Sequence, residues 1–473
     1  MAEPGRPEVV HRIRELLARH RDPAEVDGLG DHEPLVVLGV DSVTLITVAA
    51  ELHRRWDVTV PDDAVLDPQA SVASLADAAV AAAAEGPAHH PDDRPGGRLD
   101  VVGMGVVGPT GHGVPALWEG LLAERAHRLP MPYDAARGHR AGAVAGASAA
   151  EVAAPDRLLE LVCLAAEEAL GGLDPSRHAG VTLVVGTTDT GGNALGHALA
   201  GGGDDQAALA GWIAERAAEK LGLGAAVTVG SASASGAVAL GYARDLLLAG
   251  DAEEALIVGA DTVSKSAFHG LAALRTLGVD GCQPFHQARR GIALSEAAAA
   301  CLLRRPSPGG PGDDAVLGRL AGYGASSFTT HMAAPESAGI ELALRRALAA
   351  AALSPRDVSF VNAHGPGTKL GDVAEMRALA DVFGDRVRTL PINSVKGLLW
   401  HCQGAAGVIE SLVCLLSLRH GTLTPTTAAE PVDPQWREYD IVTKPREVAD
   451  ARSAVSVSCG LGGVNTAVVW ERA

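Results

Sequence analysis

The stretch at residues 85–98, Glu-Gly-Pro-Ala-His-His-Pro-Asp-Asp-Arg-Pro-Gly-Gly-Arg, limits more than any other what this chain can fold into. It is dense in proline, glycine and charge and has no apolar periodicity, so it reads as a semi-rigid linker over residues 86–98. Residues 1–85 and residues 99–473 must therefore build separate cores. A length of 473 residues allows roughly two to four domains.

The first piece is acidic and helical. Residues 1–85 hold sixteen Asp/Glu and seven Arg with no Lys, a balance of −9 out of −18 for the whole chain. Val9, Val10, Ile13, Leu16 and Leu17 fall at helical spacing and predict a helix over residues 7–20. A loop rich in Asp, Gly and Pro runs to about Gly39. From Ser42 a second helix follows, carried by Val43, Ile46, Ala50 and His53 and widened by Leu45, Ala49 and Leu52. Pro61 and Pro68 bound a short piece, and Val72 to Ala83 makes the last helix, so about four helical elements form a small bundle.

From Leu99 the pattern changes to short β-branched runs alternating with helical stretches. Leu99–Met104, Val181–Gly186, Ala255–Gly259, Val358–Val361 and Val455–Val457 read as buried strands of an α/β sheet. The Gly/Pro loop at Pro306–Gly312 splits this region into two halves that each end in a strand-like run, Ala297–Leu303 and Ala467–Trp470, a pattern of internal duplication.

A hydrophobic content of 47% excludes a disordered chain, and a net charge of −18 without a local basic patch argues against nucleic acid. The six cysteines form neither a CxxC pair nor metal-ligand spacing, so no metal is expected. The N-terminus lacks the basic and apolar regions of a signal peptide, and the apolar run Ala73 to Ala84 is broken by Asp77. A cytoplasmic protein without a membrane span is expected.

Four places hold side chains suited to chemistry. Ser42 stands at the head of a predicted helix after Gly39, Val40 and Asp41; it serves either as a cap or as an anchor whose helix terminus favours a phosphodiester. Gly230-Ser231-Ala232-Ser233-Ala234-Ser235-Gly236 leads into a helix, either as a plain tight turn or as a turn that aims a side chain at the positive helix end. His364 follows a buried strand and precedes a glycine loop. Lys396 and His401 lie in Asn393-Ser394-Val395-Lys396-Gly397-Leu398-Leu399-Trp400-His401-Cys402-Gln403-Gly404-Ala405-Ala406-Gly407, and Lys396 is one of only five lysines.

On these residues, 1–85 resembles an acyl carrier protein, with Val43 where Leu or Met is usual after the serine. The resemblance implies 4′-phosphopantetheine on Ser42, attached by a phosphopantetheinyl transferase. Residues 99–473 resemble the elongating β-ketoacyl synthases of fatty-acid and polyketide biosynthesis. Val101-Val102-Gly103-Met104-Gly105, Leu117-Trp118 and Pro284-Phe285 with Arg290-Gly291-Ile292-Ala293-Leu294-Ser295-Glu296 match the family pattern, with His286 and Ser295 replacing Asp and Gly. His364-Gly365-Pro366-Gly367-Thr368 is similar to its His-Gly-Thr-Gly-Thr, with Pro366 for Thr. Trp400 replaces a glycine, with the prospect of crowding the pocket or reshaping its loop. Ser458-Cys459-Gly460-Leu461-Gly462-Gly463 is similar to the gating loop, with Leu461 for Phe. Ser326-Ser327 and His331-Met332 match a further loop in which Phe328 replaces Asp.

The resemblance implies a thiolase-like α/β fold of two α/β/α halves, about 99–310 and 311–473, layered αβαβα behind a four-helix carrier bundle. It implies that His364 and His401 stabilise the thioester oxyanion and the enolate from malonyl decarboxylation, with Lys396 organising the second histidine and Asp372, Glu375 and Glu410 in support. It also implies acyl- or malonyl-carrier substrates and a homodimer or a heterodimer with another ketosynthase-like chain. The family's nucleophile is a cysteine; here Ser233 holds its position. A thiol of pKa ~8.5 ionises with a helix dipole's help, whereas a serine needs a general base. Three readings follow: acyl transfer through Ser233 with a histidine as base, with condensation still open; a non-acylating decarboxylase or chain-length-type partner; or a cysteine enzyme with an engineered serine.

Overall fold

The computed structural model describes residues 5–19, 21–40, 42–56, 58, 60–65, 67, 69–84, 97–134, 138–202, 209, 211–279, 281–306, 316–328 and 335–473. Most of the predicted linker, all of Pro306–Gly312 but its first residue, Asp41, and His331-Met332 lie outside them. So do the side chains of Ser42, Val43, Ile46, Ala50 and His53. The chain divides into two compact units, Met1–Pro91 and Asp92–Ala473.

The first unit is helical: α1 (Arg6–Leu17), α2 (Pro23–Gly28), α3 (Ser42–Trp56), α4 (Asp62–Val65) and α5 (Val72–Ala84). Val9, Ile13, Leu16 and Leu17 of α1 face a core with Leu45, Val48 and Leu52 of α3 and Val72, Leu75, Ala76 and Ala79 of α5. Helix α2 falls within the predicted loop. Asp22 accepts a hydrogen bond from the Ala24 N–H at 2.9 Å and Pro23 occupies the first turn, a start signal in a segment with only Val26 to bury.

The second unit contains β1 (Leu99–Gly108), β2 (Gly111–His112), α6 (Val114–Leu122), β3 (Arg128–Pro130), β4 (Arg140–Gly142), α7 (Ala149–Val152), α8 (Arg157–Leu170), β5 (Val181–Gly186), α9 (Gly192–Leu199), α10 (Trp212–Leu221), β6 (Ala226–Val229), α11 (Ser235–Ala249), β7 (Glu254–Asp261), α12 (Lys265–Ala273) and β8 (Ala297–Arg304). Its later part contains β9 (Gly318–Ser327), α13 (Ser337–Ala350), β10 (Phe360–Asn362), α14 (Gly371–Phe383), β11 (Ile392–Asn393), α15 (Lys396–Leu399), α16 (Ala406–His420), β12 (Thr422–Leu423), β13 (Arg446–Glu447), β14 (Ser453–Cys459) and β15 (Val464–Glu471).

The main sheet runs β11-β10-β14-β15-β9-β1-β8-β7-β5-β6. Each half contributes five of these strands in the same order, third-second-fourth-fifth-first, and the halves join where β1 pairs antiparallel with β9 at Leu99↔Leu320. The duplication expected from the two terminal runs is thus present in topology. Strand residues alternate between two dry faces. Ala255 and Ile257 of β7 face the core around α11 and α16, while Leu256 and Val258 face that of α8 and α10. A third core packs α13 and α14 on the other half-sheet, completing αβαβα.

Glycine sets the layer spacing at matching places. A Cβ at Gly103 or Gly105 would collide with carbonyl oxygens of α8, and one at Gly322 or Gly324 with those of α13. Strand β9, Gly-Arg-Leu-Ala-Gly-Tyr-Gly-Ala-Ser-Ser, escapes strand prediction because its small residues serve this close approach and lack β-branching. Among the described residues no helix is long and apolar enough to cross a membrane.

Candidate active site

Strand β6 ends at Val229, and the turn to Ala234 delivers the chain to α11. Ser235 Oγ accepts the Ser231 N–H at 2.8 Å and donates to the Ala232 carbonyl at 2.6 Å, which clamps Ala232 at φ +48°. Ser233, next in the chain, is half-buried and lines a cleft of about 780 Å³. Among the described residues no side chain hydrogen-bonds its hydroxyl. Helices α11 and α16 abut at their N-terminal ends, because Gly236 and Gly407 leave no Cβ between the two backbones. The turns before these helices hold Ser233 and His401, so the duplicated fold brings the two stations together.

His364 follows β10. Glu375 of α14 accepts the N–H groups of His364 (2.7 Å) and Gly365 (2.8 Å), and Asp372 accepts those of Gly367 (3.0 Å), Thr368 (3.1 Å) and Phe285 (2.9 Å). These buried carboxylates hold the loop from below. Burial raises Glu375 to about 7 and Asp372 to about 6, against the pull of those N–H donors.

Lys396 opens α15 and is buried. Its ammonium donates to the His364 carbonyl at 2.7 Å, ion-pairs with Glu410 of α16 and lies 3.3 Å from His364 Nδ1. In the structure the lysine therefore organises His364. Ser458 Oγ donates to the other Glu410 oxygen at 3.4 Å, and burial raises Glu410 to about 7. The His364 and His401 rings meet edge to face, centroids 5.6 Å apart.

The direction of the bonds to the imidazoles decides what they do. The Gln403 N–H donates to His401 Nδ1 at 2.9 Å. A backbone N–H is only a donor, so Nδ1 is an acceptor and neutral His401 carries its proton on Nε2. The Lys396 ammonium places the same demand on Nδ1 of His364. Burial and the Lys396 charge lower His401 to about 3, and burial, Lys396 and His401 hold His364 well below the usual histidine range. Both rings are neutral at pH 7 and line the cleft as Nε2–H donors, suited to negative charge on an oxygen. As Nε2–H donors they have no free ring nitrogen with which to take a proton from Ser233.

Trp400 does not line the cleft. It takes the left-handed conformation a glycine would adopt there, φ +63°, and its ring lies against Gly281 and 4.1 Å from the Arg128 guanidinium carbon. Leu461 is 39% exposed and lines the cleft, on a loop where Gly462 and Gly463 have φ +87° and +82°. Sequence reasoning missed Asp261, at the end of β7. Its buried carboxyl accepts Thr187 Oγ1 (2.8 Å), the Thr188 N–H (3.0 Å) and the Gly404 N–H (2.5 Å), pinning the loop that holds His401, and burial raises it to about 7. An acid closing the apolar run Leu256-Ile257-Val258-Gly259-Ala260 was the available signal.

In the first unit Ser42 is the first residue of α3, a fifteen-residue helix with no acid in its first turn. Val36 and Val37, close before it in the chain, are 60% and 71% exposed. A helix N-terminus fits a phosphodiester anion.

Family profiles match three stretches: "Phosphopantetheine attachment site" over residues 9–79, "Beta-ketoacyl synthase, N-terminal domain" over 98–308 and "Beta-ketoacyl synthase, C-terminal domain" over 317–430. Among curated proteins, Nodulation protein E of Rhizobium meliloti is 33% identical over 254 residues, covering 53% of this chain and 63% of that protein. Nodulation protein E of Rhizobium sp. (strain N33) is 27% identical over 410 residues, covering 79% and 99%. A 3-oxoacyl-(acyl-carrier-protein) synthase 2 of Staphylococcus aureus (strain COL) is 30% identical over 257 residues, covering 53% and 61%. Among solved structures the ishigamide ketosynthase/chain length factor is similar at TM-score 0.71 and 28% identity, covering 80% of this chain and 99% of that one. The ketosynthase ApeO in complex with its chain length factor ApeC, from Xenorhabdus doucetiae, is similar at TM-score 0.70 and 25% identity, covering 81% and 99%.

Proposed function

The chain belongs to the β-ketoacyl synthase family, fused behind a phosphopantetheine-attachment domain, and from that footing we propose that its large domain decarboxylates carrier-borne malonyl thioesters. The carrying observation is that both imidazoles are held as neutral Nε2–H donors. When a malonyl group loses carbon dioxide, the electron pair of the broken C–C bond moves toward the thioester oxygen, and the enolate then takes a proton from solvent water on its terminal carbon to give the acetyl thioester. The Nε2–H groups of His364 and His401 stabilise that charge, Lys396 and Glu410 fix His364, and Asp261 with Gln403 fixes His401.

Phosphopantetheine on Ser42 supplies the thiol that holds acyl groups as thioesters. We assign residues 1–85 to this carrier, 86–98 to the linker and 99–473 to the ketosynthase-like domain. Arg275, Arg290 and Lys369, all exposed on residues lining the cleft, suit an acidic carrier surface. Strand β6 pairs in the main sheet with β5 alone, and this edge supports dimerisation with a second copy or a cysteine-bearing ketosynthase chain, the latter in keeping with the ketosynthase/chain length factor similarity. Activation by a phosphopantetheinyl transferase and a cytoplasmic setting, with six free cysteines, complete the proposal.

Intact-protein mass spectrometry with malonyl-carrier should show conversion to acetyl-carrier with Ser233 unmodified. Ser233→Ala should retain that rate, and His401→Ala should lower it by about 10²–10³. A required acyl adduct on Ser233 would overturn this assignment. It would favour the second reading, acyl transfer through Ser233, which its place in the cleft at the start of α11 supports.

A further inference from the structure

The proposed mechanism leaves one carboxyl of the cleft unused. Asp189, on the loop from β5 to α9, lines the cleft and is half-buried, and burial raises its carboxyl above the usual range. Its oxygens accept from Ser266 Oγ at 3.1 and 3.3 Å, and the Ser264 hydroxyl also hydrogen-bonds the carboxyl. Among the described residues no cation lies within ion-pair distance of it, although Arg275, Arg290 and Lys369 line the same cleft. The carboxyl is not spent on capping either: Gly191 caps α9 without a side-chain hydrogen bond. Gly192 leaves the room it occupies, since a Cβ there would collide with Asp189 and crowd Ser266.

Its position ties it to the reacting end. The adjacent Thr188 reaches Gln403 Oε1 at 3.5 Å, and Gln403 donates its N–H to His401. Ala267, Leu271 and Leu274 continue the same lining from Ser266 as apolar surface. A hydrocarbon chain laid along this lining would strip water from Asp189 and return no hydrogen bond, whereas a hydroxyl or ammonium would return one.

We propose that the cleft selects acyl groups bearing a hydrogen-bond donor, a hydroxyl or a protonated amine, which Asp189 receives, over plain hydrocarbon chains. This rests on the reading of the cleft as an acyl-thioester site.

The test is binding of hexanoyl-, hydroxyhexanoyl- and aminohexanoyl-pantetheine, substituted at the terminal carbon, to the full chain by calorimetry, with malonyl decarboxylation measured in parallel. A donor-bearing thioester should bind about tenfold tighter than hexanoyl-pantetheine. Asp189→Leu should reverse the order, and Asp189→Asn should keep the hydroxyl preference while losing that for the amine. The amine and hydroxyl arms distinguish the two donors. Equal binding of all three, or an unchanged order in a folded Asp189→Leu, overturns the inference while leaving decarboxylation standing. Failure of all three to bind together with no decarboxylation overturns both.

Discussion

At the scale of single residues the site is governed by burial. Lys396 and Glu410 face each other where neither charge is tolerable alone, so Lys396→Met should destabilise the domain by about 3–5 kcal/mol at pH 8. A carboxyl raised from 4.5 to about 7 favours the native state at low pH, and that contribution is lost as pH rises through this window. Removing the ammonium raises Glu410 further, so the variant should lose much less stability at pH 5, and Lys396→Met with Glu410→Gln should recover most of it at pH 8. Urea unfolding at both pH values checks this. The histidines carry the opposite sign: with His401 lowered to about 3, their contribution is full above 6.5 and declines as pH falls from there. The malonyl decarboxylation profile should therefore lack an imidazole step near 6.5, and a step near 7 that disappears in Glu410→Gln would identify the carboxylate. His364, His401, Lys396, Asp372, Glu375 and Glu410 were all legible as motif positions. Asp261 was not, because a single acid after a strand carries no spacing signal until the fold brings Gly404 to it.

At the scale of elements, layer packing decides where small residues stand. Gly105→Ala should cost about 1–3 kcal/mol, because its Cβ would meet the Ala165 carbonyl and neither β1 nor α8 can retreat. Gly196→Ala in α9, with nothing near its Cβ, should instead stabilise by about 0.4–1 kcal/mol. Thermal unfolding of the pair should shift in opposite directions. Trp400 offers a second contrast. Gly281→Ala should destabilise by pushing a Cβ into the indole at a left-handed backbone position, and Trp400→Gly should relieve the part of that loss due to the clash while the backbone strain remains, a coupling that denaturant titration measures. Strands rich in Val, Ile and Leu, such as β5 and β7, were legible from composition. Strand β9 was not, since its pairing and not its propensity makes it a strand, and β6 and β11 escaped because they are only four and two residues long.

At the scale of the whole molecule, two compact units follow the linker pattern, and the first holds its own core of Val9, Ile13, Leu16, Leu52 and Leu75. Residues 1–91 produced alone should give a helical circular-dichroism spectrum and unfold cooperatively, and phosphopantetheine transfer, followed by mass, should occur on it and be absent in Ser42→Ala. In the second unit two five-stranded halves of matching order meet at β1 and β9. Local periodicity, glycine runs and residue types sufficed for the helical bundle, the alternating sheet and the motif residues, because helix and strand patterns and turn chemistry are properties of neighbours in sequence. The donor role of His364, set by Lys396, the burial of both imidazoles, the hold of Asp261 on the His401 loop and the place of Asp189 in the cleft were decided by tertiary structure alone, whereas the bond from the Gln403 N–H to His401 is local. Hydrogen-bond direction and desolvation depend on groups that lie tens or hundreds of residues apart until the halves close around α11 and α16.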